Sequence, residues 1–400
     1  MDNQQKTPQQ LRAERQKYAR IQRGIRLAAI LVAIVLSIIA LIQSCSTKKA
    51  IDDLAAQLQA KKLAQTQLND QAQIGDSALE NAALPSTAPV AGGQTITLSF
   101  VGDCTLGTDN PEAEGSFEEC FQTNGASYFF QNVKSILEGD DLTVGNLEGT
   151  FTLTDERSGS LYAYKADPSR VSILAEGGID AVNVANCHTH DYGSSGYVDT
   201  LANLDIADIQ RFGYDNTKLL DISGVRVGFI GLSTKESSDC LTKTQKQIES
   251  LRAEGAQIIV VEYHWGDEGS DAPNTDQIEL AHSAVDAGAD VVIGHHPRIM
   301  QGVELYEGKY IAYSLGTFCY GGTQPPEDFD TMIFQQTFTL EDGVLQGEAE
   351  LNMIPCSMSS QVGRNDYQPT PAEGQDAENI LDKLYSLSDA VDGGIVKSEE

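Results

Sequence analysis

Five of the six histidines fall in three short clusters, and each cluster closes an apolar run of β type. The runs 180–185, 257–262 and 289–293 lead into Asn186-Cys187-His188-Thr189-His190-Asp191, His264-Trp265-Gly266-Asp267-Glu268 and Gly294-His295-His296-Pro297. Two further runs, 96–101 and 141–145, end in Gly102-Asp103 and Asn146-Leu147-Glu148. In open α/β sheets the strand C-termini share one edge, and ligands bind there. Imidazoles and carboxylates repeated at five such ends mark one shared polar site suited to metal-dependent chemistry.

Divalent Mn, Fe and Zn all accept mixed imidazole and carboxylate shells. Two such ions held ~4 Å apart can activate a water and neutralise charge on a phosphoryl group, and a bridging carboxylate suits that spacing. His188 or His190 could then give a proton to the leaving oxygen. Each residue also has a plainer reading. Asp103 alone could be a helix cap or turn carboxylate. Glu148 could be a surface group, but it ends an apolar strand, and a buried carboxylate needs a cation or several donors to stay ionised. Asn146 could simply hold its turn, and His264 could be a packed core histidine beside the sole tryptophan. Adjacent side chains diverge in extended backbone, so one of His295 and His296 can face a metal while the other packs or meets substrate. His282, inside the predicted helix 274–288, reads as structural. There is no C-x-x-C, and Gly308-Lys309-Tyr310 is no phosphate loop, which needs a glycine where Val303 stands and a Ser or Thr where Tyr310 stands.

The elements that must position these groups alternate along the chain. Strands are predicted at 96–101, 141–145, 180–185, 208–212, 225–231, 257–262 and 290–293, and helices at 127–138, 168–177, 196–206, 242–254 and 274–288. Such alternation predicts an α/β fold with a largely parallel core. Runs at 303–306, 310–314, 331–340 and 344–354 read as antiparallel additions, completing a domain over 94–355. Residues 356–400 read as a polar tail, loosely ordered over 357–378 and carrying a short helix at 379–390.

Charge and hydropathy place this domain. Residues 1–26 carry seven Lys or Arg against Asp2 and Glu14, whereas the whole chain of 400 residues has a formal charge of −31. So acidic a protein repels nucleic acid, which excludes that class of partner. Leu27 to Ile42 is apolar apart from Ser37, and with its flanks to Cys45 it approaches the ~20 residues of a membrane-spanning helix. The basic flank keeps 1–26 cytoplasmic by the positive-inside rule and puts the main domain outside a cell membrane crossed once. A cleaved signal peptide is the competing reading. Residues 46–83, with Ile51, Leu54 and Leu58 at helical spacing, read as a stalk that could self-associate, and 84–93 as a linker. Cys104 and Cys120 could pair in an oxidising setting, or the thiols could stay free and mostly buried.

In this order the motifs resemble the CapA family of capsule (poly-γ-glutamate) synthesis proteins. The resemblance runs from about Thr95 to Gly321. It rests on Ser99-Phe-Val-Gly-Asp103, Val144-Gly-Asn-Leu-Glu-Gly149, Ala185-Asn-Cys-His-Thr-His-Asp-Tyr-Gly193, His264-Trp-Gly266, Gly294-His-His-Pro297 and Ile311-Ala-Tyr-Ser-Leu-Gly-Thr-Phe318. The family is similar to calcineurin-like metallophosphoesterases, which implies an αββα sandwich with two divalent ions (Mn, Fe or Zn). It also implies a partner in an anionic surface polymer or the machinery that makes it. Carried over, Asp103, Glu148, His264 and His295 are expected ligands, with Asn186 and Cys187 beside them. His188 and Asp191 form the expected catalytic pair, and Asn146, His296 and Arg298 the expected substrate contacts. Cys187 and Thr317 each stand where the family usually has Asn, and Arg298 where it usually has His. Those departures motivate a second expectation, a non-catalytic binding or scaffolding subunit that keeps the fold.

Overall fold

The computed structural model describes residues 93–326 and 328–397. The expected cytoplasmic segment, membrane helix, stalk and linker therefore lie outside the described residues, apart from Gly93. Among the described residues no helix is long and apolar enough to cross a membrane.

Thirteen strands of three or more residues follow in chain order: β1 (Gln94–Thr105), β2 (Leu142–Leu147), β3 (Ala181–Asn183), β4 (Gln210–Phe212), β5 (Lys218–Ile222), β6 (Val225–Ser233), β7 (Ile258–His264), β8 (Val291–His295), β9 (Val303–Tyr306), β10 (Lys309–Ala312), β11 (Thr317–Tyr320), β12 (Asp330–Glu341) and β13 (Val344–Ser357). They form two sheets. The first runs β13-β12-β1-β2-β3-β4, with β11 paired parallel to β1 off this path, and the second β9-β10-β8-β7-β6-β5. β1 to β4 are mutually parallel, as are β6, β7, β8 and β10. β12, β13, β5 and β9 join antiparallel. β8 is buried throughout, as a parallel strand covered on both faces must be.

The two sheets face each other across a core that includes Phe100, Val144, Phe229, Val260 and Ile293. Helices cover the outer faces. Phe117, Phe130, Leu174 and Leu204 pack on the first sheet, and Ile248, Leu251, Ala281 and Ala284 on the second. The result is a mixed α/β fold layered helix, sheet, sheet, helix. The parallel strands of both sheets bring their C-terminal residues Asp103, Asn146, Asn183, Ser233, His264 and His295 to one edge.

Two regions differ from expectation. The predicted helix 127–138 is instead a 3-10 turn at Ala126–Tyr128 and a short helix α2 (Lys134–Leu137), and an unpredicted helix α1 (Phe117–Asn124) precedes them. Ser116 caps α1 by accepting from Glu119 N, and Gly125 at φ +80° ends it. The expected C-terminal tail is part of the domain: Met358 and Tyr367 are buried, and Thr370–Pro371 pairs with β13. Beyond it runs a helix at Gly374–Ser388, which buries Ile380 and Leu384 and whose Ser388 Oγ accepts from Val303 N at 2.9 Å. Cys104, Cys120, Cys187, Cys240, Cys319 and Cys356 are all free, so the Cys104–Cys120 pair does not form. Cys104 lies fully buried within β1, while Cys120 sits on helix α1.

Candidate metal centre

Asp103 lies within β1, two residues before its end, with no exposure. Its Oδ1 accepts from Asn146 Nδ2 at 2.8 Å, and its Oδ2 from the His296 backbone N–H at 3.3 Å. Burial opposes its charge, but the His295 ring beside it outweighs that and holds the carboxyl well below its ordinary value. Glu148 follows β2 and is equally buried. Its Oε2 accepts from Thr105 Oγ1 at 3.0 Å and from the Arg298 guanidinium at 3.3 Å, while its Oε1 has no hydrogen-bond partner. Burial pushes the Glu148 carboxyl up, and Arg298 pulls it back.

His264 closes β7 with its ring fully enclosed. Nε2 lies 3.3 Å from Cys187 Sγ and 3.8 Å from Glu148 Oε1. Burial, with His296 beside it, holds the ring well below its ordinary pKa, so it is a neutral lone-pair donor. Cys187 Sγ also lies 3.9 Å from His296 Nδ1. Three overlapping groups result, each with donor atoms within 4.8 Å of one another: Asp103, Glu148 and His264; Cys187, His264 and His296; and Glu148, Cys187 and His188. A thiol, imidazoles and carboxylates suit a borderline divalent cation. The partnerless Glu148 Oε1 and His264 Nδ1 fit that reading, because buried polar atoms in native folds are almost always satisfied.

Four expected site residues are placed differently. Asn186 is hydrogen-bonded through both ends of its amide: its Nδ2 donates to Asn146 Oδ1 and Leu147 O, and its Oδ1 accepts from His188 N and Thr189 Oγ1. Asn146, expected at substrate, is spent between Asp103 and Asn186. His295 falls outside the three donor groups and His296 inside one of them. His295 lies deeper, its Nδ1 3.3 Å from Asp103 and its Nε2 3.4 Å from Glu262. His296 swings into the ligand group because its backbone takes φ +98°.

Asp191 is buried and accepts from His188 Nδ1 at 2.9 Å and Tyr164 N at 2.7 Å, so it orients His188. Burial lowers the His188 pKa, but Asp191 and Cys187 raise it further, to about 10. An Arg298 NH2 contact at 3.1 Å asks instead for a lone pair on Nε2. Protonation there displaces the guanidinium from the ring. His190 is exposed and packs on Tyr197 and Tyr214, apart from the centre. Thr317 Oγ1 donates to Arg298 O at 3.1 Å. The centre opens through Cys187, His188 and Arg298 into a cavity of about 640 Å³ walled by Tyr162, Tyr164 and Tyr320.

Sequence reading passed over Glu262 and Glu268. Glu262 lies fully buried in β7, two residues before His264 and so on the same strand face. A lone carboxylate inside Val260-Val261-Glu262-Tyr263 was the available signal. Burial pushes it up, and His295 opposes that. It lies 3.4 Å from His295 Nε2, and His295 Nδ1 lies 3.3 Å from Asp103, close pairs without hydrogen-bond geometry. Replacement of Glu262 by Gln is expected to weaken divalent-ion affinity about ten- to hundredfold, as removal of supporting partners does. Competition titration against a chelating dye measures this, and unchanged affinity would dismiss Glu262 from the centre.

The profile of a family described as bacterial capsule synthesis protein PGA_cap matches residues 97–321, more than half of the chain. The chain belongs to this family. The capsule biosynthesis protein CapA of Bacillus anthracis is 30% identical over 294 residues, 66% of this chain and 68% of that protein. The PGA biosynthesis protein CapA of Bacillus subtilis (strain 168) is 30% identical over 247 residues, 56% of this chain and 63% of its own length. Among solved structures, the NAD nucleotidase of Haemophilus influenzae overlaps 74% of this chain and 56% of its own, with TM-score 0.42 and 14% identity. That overlap is too loose to carry function. The PGA_cap match spans every grouped donor, from Asp103 to His296, and Arg298 too; β12, β13 and the C-terminal helix lie beyond it.

Proposed function

We infer that this PGA_cap protein is a metal-dependent hydrolase of phosphoester type, working outside the cell membrane in synthesis or export of an anionic polymer such as poly-γ-glutamate. The family match supports the capsule setting, and the apolar segment at 27–45 supports a membrane anchor with the domain outside. The helix-sheet-sheet-helix layering and the convergence of parallel strand ends support kinship with calcineurin-like metallophosphoesterases. One observation carries the chemistry: Asp103, Glu148 and His264 bring buried, partly unsatisfied donors together, in groups that overlap those of Cys187 and His188, which line the cavity.

A divalent ion there supplies Lewis acidity and charge neutralisation to a phosphoryl group. The protein's own groups do the rest. Asp191 holds the His188 ring, which carries a proton at the cavity for a leaving oxygen. The tyrosine walls exclude water from one side. With a net charge of −31, polyanion contact concentrates at this centre and not on the general surface. A second ion would compete with Arg298 for Glu148.

Full-length protein loaded with Mn²⁺ or Zn²⁺ is expected to hydrolyse bis(p-nitrophenyl) phosphate, and chelation is expected to abolish that turnover. The ion pairs of Arg298 with Glu148 and Glu268 favour a second reading, a binding subunit without turnover. No hydrolysis with any divalent ion, together with retained polymer binding, would select it.

A further inference from the structure

We propose that this is a one-ion centre in which the Arg298 guanidinium acts as the second cation. The inference rests on the metal-centre reading and says how that centre handles an oxyanion.

Glu148 is the pivot. Its Oε2 is held by Thr105 Oγ1 at 3.0 Å and Arg298 NH1 at 3.3 Å. Its Oε1 has no partner and lies 3.8 Å from His264 Nε2. One carboxylate thus carries a protein cation on one oxygen and an open ligand position on the other. The surrounding donors divide in the same way. Asp103 and His264 form a group with Glu148, and Cys187 and His296 adjoin through His264. The remaining group, Glu148, Cys187 and His188, is the one the guanidinium already engages, at Glu148 and, through NH2, at His188 Nε2. His188 Nδ1 is committed to Asp191, so that group has no spare imidazole nitrogen. A second divalent ion would have to displace a like charge from the same donors, in a site where burial weakens screening.

The backbone is built to deliver the arginine. Arg298 stands at φ +65° and His296 at φ +98°, two left-handed residues either side of Pro297. Such conformations cost energy for residues with a Cβ and persist where the surroundings enforce them. Thr317 enforces this one through the Arg298 carbonyl, and Glu268 through Nε at 2.9 Å. A guanidinium has five N–H donors. Two are engaged, by the Glu268 and Glu148 carboxylates, and NH2 lies 3.1 Å from His188 Nε2. The others remain on a side chain that lines the 640 Å³ cavity. An oxyanion seated there meets the ion on one side and a planar donor pair on the other, the geometry that arginine supplies and lysine does not. Phosphoryl and carboxylate oxygens share that chemistry.

The test is the metal count of the full-length protein, by elemental mass spectrometry after loading with Zn²⁺ or Mn²⁺ and desalting. One ion per chain is expected in the wild type and in Arg298→Lys, and two in Arg298→Gln. Arg298→Lys checks that any change comes from charge and not from misfolding. Two ions in the wild type would overturn the inference while leaving the metal-centre reading intact. No ion at all would overturn both. One ion in all three proteins would overturn the claim that Arg298 holds the second cation's place.

Discussion

His264→Ala is expected to lose the tightly held divalent ion and, with it, phosphodiester hydrolysis. His264 is the one imidazole that lies in two of the three donor groups, meeting Glu148 and Asp103 in one and Cys187 and His296 in the other. Its ring is fully enclosed, and burial keeps it neutral, so its lone pair is available without prior loss of a proton. Removing even a supporting partner of a metal ligand costs about ten- to hundredfold in affinity. Removing a shared ligand should therefore exceed a hundredfold. The fold should survive, because the lost ring contacts polar neighbours, while Tyr263 and Trp265 on either side keep their own stacking at 4.9 Å. Metal content and a thermal melt separate the two effects. Hydrolysis equal to wild type in a stably folded His264→Ala protein would take His264 out of the mechanism.

The centre was legible in the sequence where strand physics alone places residues. A parallel strand buried on both faces must be apolar, so the first metal-preferring residues after each run identify its C-terminal end, and Asp103, Glu148 and His264 follow from that rule. What the rule leaves open is the hand of a turn. His295 and His296 diverge as adjacent extended residues do, but the positive φ of His296 decides which of them meets Cys187, and no local sequence signal fixes that angle. Asn186 and Asn146 were legible as polar strand ends but not as scaffold, because their partners are each other and the Leu147 carbonyl, brought together only by the β2–β3 pairing. The C-terminal region misled for a related reason. Its buried residues Met358, Tyr367, Ile380 and Leu384 are sparse among polar ones, and their packing partners lie far back in the chain: the Tyr367 hydroxyl donates to the Gly115 carbonyl. α1 is eight residues long and has a single fully buried position, Phe117, too little for helical periodicity to register.

His188→Gln is expected to lower turnover about 10²- to 10⁴-fold, the range for loss of a general acid, while leaving the metal count unchanged. The argument begins with Asp191, whose Oδ2 takes both the His188 Nδ1–H and the Tyr164 backbone N–H. That buried carboxylate sets the tautomer and turns Nε2 toward the cavity. Asp191→Asn keeps the shape but removes the charge that supports the imidazolium, so it should reduce turnover in the same direction and by a smaller factor. Leaving-group chemistry distinguishes proton donation from mere positioning. Esters of p-nitrophenol depart without help, so either variant should hydrolyse them nearly as fast as wild type. Alkyl phosphodiesters need a proton on the departing oxygen and should show the full loss. An equal loss for both classes would mean that His188 shapes the cavity and donates no proton. A full loss confined to alkyl esters would assign it the proton, with Arg298, 3.1 Å from Nε2, as the neighbour that must give way when that proton is in place.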